Sequence, residues 1–203
     1  FLKFDPASQG LIPGVRNLFE LQIGPLVASF LFLSALAHLL ISLPKINDWY
    51  NNNLSKGANY ARWIEYSFSS SVMILVIAML VGIYDISALI AIVLLNVSMI
   101  LFGWMMELHN QSTEKTNWTS FIFGCIAGIG PWIAIGIYLW NPGSDVKAPN
   151  FVYWIYFSIF LFFNSFALNQ VLQYKKIGKW KDYLYGERAY IILSLVAKSL
   201  LAW

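Results

Sequence analysis

Ile191-Ile192-Leu193-Ser194-Leu195-Val196-Ala197-Lys198-Ser199-Leu200-Leu201-Ala202-Trp203 sets one lysine in an apolar run, with no other charge within nine residues. A segment of this kind belongs in hydrocarbon, where a central lysine costs roughly 2.5–3.5 kcal/mol. The rest of the chain agrees. Of its 203 residues 59% are hydrophobic, 17% aromatic and 11% charged, at a net charge of +3 and a mean hydropathy of +0.62. Soluble domains carry about 25% charged residues. The composition therefore reads as a polytopic membrane protein and excludes a disordered chain or a basic nucleic-acid module. One cysteine, Cys125, leaves no intramolecular disulfide and no cysteine-based metal cluster.

Working outward, a span needs about 20 mostly apolar residues. Five further segments qualify: Gly24 to Leu43 (closed by Pro44), Tyr60 to Ile83, Ile86 to Met106, Trp118 to Trp140 and Phe151 to Leu172. The sixth starts near Gly186 and still runs at Trp203. Polar connections separate them, among them Lys45 to Asn59 and a loop holding the turn Asn141-Pro142-Gly143-Ser144. Residues 1–23, with Pro6, Gly10, Pro13 and Gly14, read as an irregular extramembrane segment, and 24–203 as the transmembrane bundle. No internal repeat supports a two-halved transporter.

Nine cations fall on one side: Lys45, Lys56, Arg62, Lys115, Lys175, Lys176, Lys179, Lys181 and Arg188. Lys3, Arg16 and Lys147 fall on the other. The positive-inside rule puts loop 173–185 in the cytoplasm, so the last helix runs outward in a multi-pass protein of the cell membrane, with the C-terminus extracellular.

Ionisable residues inside spans are functional candidates. Lys198 lies about 12 residues, roughly 18 Å, into its segment, out of easy reach of either interface. Glu65 reads as the acid well inside an apolar segment, about 12 Å in, whereas Asp85 and Glu107 fall at span ends. Ser69 shares its face at i+4, and Ser34 and His38 share another. A buried ion pair that only fixes helix register competes with the chemical reading. A desolvated lysine loses its proton more readily and attacks an aldehyde, and a nearby carboxylate then stabilises the charged product. Retinal, in an aromatic-lined slot between helices, satisfies these demands.

The run Ser194 to Trp203, the run Arg62-Trp63-Ile64-Glu65-Tyr66-Ser67-Phe68-Ser69, and the spacing of Ser34, His38, Glu65 and Lys198 resemble heliorhodopsins over essentially the whole chain. The resemblance implies an all-α membrane protein, a rhodopsin-like seven-helix bundle of which six helices are visible. The first would be missing before Phe1 and the last cut short at Trp203, with residues 1–23 the extracellular loop after the first helix. It implies a cytoplasmic N-terminus and an extracellular C-terminus, inverted relative to other microbial rhodopsins. Lys198 matches the lysine that forms the retinal Schiff base (all-trans in the dark), and Glu65 its counterion. Ser69, Ser34 and His38 match polar neighbours of the Schiff base, and Glu107 an acid at the cytoplasmic end of a helix. Ala197 stands where some members carry serine. The resemblance also implies a homodimer in membrane lipid and a photosensor in place of an enzyme, acting on an unidentified cytoplasmic signalling partner.

In microbial rhodopsin pumps the proton donor lies eleven residues after the acceptor, and here that position is Val76. An efficient ion pump is therefore not expected. A light-gated channel using Asn96, Glu107, Ser69 and Glu65, and a retinal-free transporter or enzyme using the Lys–Glu pair, are the alternatives. Met73, Asn96, Met99, Pro131, Trp132, Phe160 and Asn164 are pocket candidates by depth alone. With Glu65 read as the sole buried acid, His38 or water near Ser34 is left to accept the Schiff-base proton.

Overall fold

The computed structural model describes residues 2–140 and 148–203. The Asn141-Pro142-Gly143-Ser144 turn and Lys147 lie outside the described residues. A two-stranded antiparallel hairpin, β1 (Leu2–Asp5) and β2 (Gly10–Pro13), precedes seven α-helices. These are α1 (Ile23–Ser42), α2 (Pro44–Ser55), α3 (Tyr60–Leu80), α4 (Ile86–Asn110), α5 (Thr119–Trp140), α6 (Asn150–Tyr174) and α7 (Tyr183–Ala202). Each of the six expected segments is a helix, with ends shifted by a few residues.

Five helices, α1, α3, α4, α5 and α6, are long and apolar enough to cross a membrane. The sixth long helix, α7, has 20 residues and carries Glu187, Arg188 and Lys198. Outward faces bear side chains such as Phe32, Ile126, Leu161 and Leu195, all exposed, as a lipid-facing surface requires. Phe30, Met73, Ile74, Ile77, Trp132, Ile135, Ile159 and Ala197 fill the core.

Two expectations are corrected. First, the N-terminal segment is not wholly irregular, since β1 and β2 pair as a short hairpin ahead of the helical bundle. The Asp5 side chain accepts hydrogen bonds from the Ser8 hydroxyl and from the Ala7 and Ser8 backbone N–H groups, and Gln9 takes a left-handed φ of 48°. That turn closes the hairpin, and the Ser8 bond above all holds Asp5 below its ordinary carboxylate range. Second, Lys45 to Asn59 is mostly helix rather than loop. Pro44 ends α1 and, placed at the start of α2, supplies the φ a first helical turn needs. Ile46, Tyr50 and Leu54 recur every four residues and are partly buried, so α2 lays one face on the bundle.

Caps fix the starts of the site-bearing helices. Asn59 caps α3, Asp85 caps α4 and Asp182 caps α7, each side chain accepting a backbone N–H of its own first turn. Along α3 the hydroxyls of Ser67, Ser70 and Ser71 turn back to the carbonyls of Trp63, Tyr66 and Ser67. Asn96 on α4 donates to Ser70 and Ser71 at 2.8 and 3.1 Å, tying the two helices at that level. Helices α5 and α6 meet largely through rings: Trp132 packs against Tyr156, Phe160 and Phe163, and Trp140 against Tyr153, Tyr156 and Phe157.

Candidate functional site

Three helices bring Lys198, Glu65 and Ser34 together. Lys198, 5% exposed, donates from Nζ to Glu65 Oε1 at 2.6 Å and to Ser34 Oγ at 2.5 Å. Ser34 Oγ also lies 2.5 Å from that carboxylate oxygen and 3.2 Å from the Phe30 carbonyl. Its single hydrogen serves one acceptor at a time. The ammonium lies 5.6 Å from the centre of the Tyr66 ring, within cation–π range. The sequence expectation of a pair spanning the bundle is met in geometry.

Lys198 closes one end of a cavity of about 300 Å³ between α3, α4, α5, α6 and α7. Met73, Trp132, Phe160, Trp63, Gly103 and Gln170 are among its other lining residues. The volume is at the lower end of the range for small-molecule sites. Glycines shape the wall: a Cβ on Gly103 would meet the Trp63 ring at 2.6 Å, and one on Gly128 would overlap the Met99 sulfur. Ser69 Oγ and Trp63 Nε1 are buried on this cavity without a hydrogen-bond partner among the described residues. An apolar slot ending at an amine, with an orphaned hydroxyl beside it, suits a long apolar aldehyde.

Of the expected pocket residues, Ser69, Met73, Met99, Trp132, Phe160 and Asn164 line this cavity with Lys198. Asn96 does not, because its amide is committed to Ser70 and Ser71. Pro131 is buried but is no part of the lining. His38 lines a second, smaller cavity of about 80 Å³ with Glu65, and no hydrogen bond joins it to Lys198 or Glu65 among the described residues. Ser69, though on the Glu65 side of α3, faces the large cavity and makes no bond to that carboxylate. Tyr66, Tyr190 and Ser194 line both cavities and so stand between them.

Glu65 is not the sole buried acid. Glu107 and Glu187 are 3% and 5% exposed, and both face Arg62, itself buried and not a surface cation. Arg62 Nη2 lies 2.9 Å from Glu107 Oε2, and Nη1 lies 3.2 Å from Glu187 Oε1. Its guanidinium is sandwiched 4.3 Å from the Trp63 ring centre and 3.9 Å from that of Tyr190. Asn59 joins the acids, donating its backbone N–H to Glu107 at 2.8 Å and its amide to Glu187 at 2.7 Å. Glu187 escapes a composition reading because Arg188 beside it makes it look like loop charge. Its spacing was the available signal: eleven residues before Lys198 is three helical turns, hence the same face.

A lysine–carboxylate pair at the end of an apolar slot, inside a bundle of membrane-crossing helices, defines a rhodopsin-like helical membrane protein. The heliorhodopsin family model matches residues 1–203, and the chain belongs to that family. No curated protein matches the chain. Membership carries retinal as the family's chromophore and microbial rhodopsin-type photoreception as its general activity.

Proposed function

We propose that Lys198 carries all-trans retinal through a covalent bond to Nζ, with Glu65 as its counter-charge, in a photoreceptor that signals instead of pumping ions. One observation carries this reading: the Lys198–Glu65–Ser34 triangle at the mouth of an apolar cavity. Bound retinal supplies the light-absorbing polyene, the aldehyde carbon for Nζ, and a change of shape on illumination. The chain supplies the rest. Glu65 balances positive charge at Nζ in a site where an unpaired charge would be costly. Ser34 touches both the carboxylate and the nitrogen, and the aromatic walls of Trp132 and Phe160 keep water from the slot.

Packing on α3 supports the absence of pumping. Val76, at the position eleven after Glu65, is 1% exposed among buried Ile74, Ile77 and Ala78, so that half of the helix is dry. Inverted sidedness rests on the lysine-rich end as the cytoplasmic one. A homodimer in lipid and a cytoplasmic partner reading the Lys175-to-Lys181 loop complete the proposal.

The test is the visible spectrum of protein expressed with all-trans retinal, beside Lys198→Ala. The expected result is a visible band in the first and none in the second. Folded protein without a band in either case overturns the reading. Light-driven pH change in vesicles, expected to be nil, checks the non-pumping half.

A further inference from the structure

The buried charges at the Arg62 end do not balance. One guanidinium faces two carboxylates, while the neighbouring Lys198–Glu65 pair is one to one and cancels itself. The two acids differ in their restraint. Glu107 has a short donor on each oxygen, the Asn59 N–H at 2.8 Å and Arg62 at 2.9 Å. Glu187 Oε2 takes the Asn59 amide at 2.7 Å, while its Oε1 has longer contacts, 3.2 Å to Arg62 and 3.3 Å to Gln173, and the Tyr183 hydroxyl also interacts with this carboxylate. Glu187 also lines the small cavity, and Glu107 does not. That cavity follows α7 from Ser194 to Glu187, roughly 10 Å at helical rise, and reaches Glu65 on α3. Asn59, Arg62, Glu65, Glu187 and Ser194 give it polar groups on otherwise apolar walls, and it is roomy enough to hold water.

We propose that Glu187 is the group that takes up the proton leaving the Lys198 nitrogen on illumination, through this cavity. The inference rests on retinal being bound at Lys198. In the step an N–H bond at Nζ breaks and the electron pair stays on nitrogen. Lys198 lines the larger cavity, so the proton crosses first to Glu65 Oε1, 2.6 Å from Nζ. From there it passes along hydrogen-bonded water in the small cavity to Glu187 Oε1. This leaves Glu65 again a carboxylate, a neutral carboxyl at Glu187 and an intact Arg62–Glu107 pair. The Arg62 cluster goes from one net negative charge to none, while the Lys198–Glu65 site goes from neutral to one net negative charge, so the unbalanced negative charge moves from the cluster to Glu65. A proton left on Glu65, 2.6 Å from the nitrogen, returns as easily as it went. One on Glu187 is kept apart by the length of the cavity.

The other groups facing Glu187 do not offer an equal store. Arg62 on α3 stays charged. Tyr174, Tyr183 and Tyr190 present phenols, and Tyr50 on α2 is held above its ordinary range by burial and then by the Glu187 carboxylate. Glu107 is clamped, and Glu65 is paired with Lys198. His38, across the cavity on α1, is the remaining rival.

Light-minus-dark infrared spectra of the pigment test the assignment. A carboxyl C=O band should appear on illumination, persist in Glu107→Gln and His38→Gln, and be lost in Glu187→Gln. A band that survives Glu187→Gln, or no carboxyl band in the unmodified pigment, overturns it. Should Glu187→Gln fail to assemble, Glu187→Asp keeps the acid, and its band must move in frequency; an unmoved band overturns the proposal. The retinal-free protein gives a reading without light. Acidification should raise a buried-carboxyl band that Glu187→Gln lacks, and a titration unchanged by that substitution counts against the site. Protein that never forms a visible band fails the retinal reading, whereas a pigment without the Glu187 band fails this inference alone.

Discussion

The Lys198 pair and the Arg62 cluster are both buried ionic sites on α3 and α7, but they are held in different ways. Lys198 reaches its partners through one carboxylate oxygen and one hydroxyl; it lines the larger cavity, and Glu65 lines the smaller. Arg62 is stacked between two rings, bonded to two acids, and backed by an asparagine that touches both acids. A site with few restraints leaves its charged atom free to change partners and protonation. A site with many fixes the helix ends and lets the first site move against them. The contrast separates a lightly held pair from a tightly held cluster, although both are ion pairs in apolar surroundings.

The largest break in that comparison should come from Arg62→Gln. It strands two buried carboxylates and removes the ring stack, and breaking a buried ionic group of this kind costs about 3–5 kcal/mol. The expected outcome is a steep loss of folded yield and a lower Tm; an unchanged melting curve would show that the cluster is no anchor. Glu65→Gln should cost less, because it strands one buried charge where Arg62→Gln strands two. Its signature is spectral: the visible band should move to longer wavelength, and an unmoved maximum would remove Glu65 as counter-charge.

Gly103→Ala sharpens the comparison by touching both sites through Trp63, which lines the large cavity and stacks on Arg62. Overpacking of this kind costs about 1–3 kcal/mol, so reduced Tm and reduced retinal uptake should appear together. Uptake at wild-type level with a normal Tm would mean that the Trp63 ring yields freely. Ser34→Ala should be the mildest, about 1 kcal/mol, with a small displacement of the visible band and pigment yield preserved. Loss of the pigment in this variant would raise Ser34 from a positioning group to an essential one.

The bundle was legible in the sequence because apolar runs of span length leave few other options, and Lys198, Glu65 and Ser34 were legible because hydrocarbon makes each polar group conspicuous. Legibility failed where polarity was ordinary. Asparagines at 47, 51, 52 and 53 hid the apolar face of α2, and Pro6 with Gly10 hid a hairpin whose turn Asp5 closes. Glu187 and Arg62 sit near helix starts, where charges usually face water, and only three-dimensional convergence shows them buried. Asn96 illustrates the reverse error, since depth placed it in the pocket while its amide had partners on α3.

The back-bonded serines of α3 have a mechanical consequence. Hydroxyls that share carbonyls with the helical ladder loosen it and favour bending. Ser67, Ser70 and Ser71 do this midway between the half of α3 that holds Arg62 and Glu65 and the half packed as Ile74, Ile77 and Ala78. The helix is thus a leaf spring with its thin section in the middle, clamped to α4 there by Asn96. Glu65, the partner of Lys198, sits beside that thin section, so α3 can flex there while the Arg62 anchor on one side and the Ile74 half on the other keep their packing.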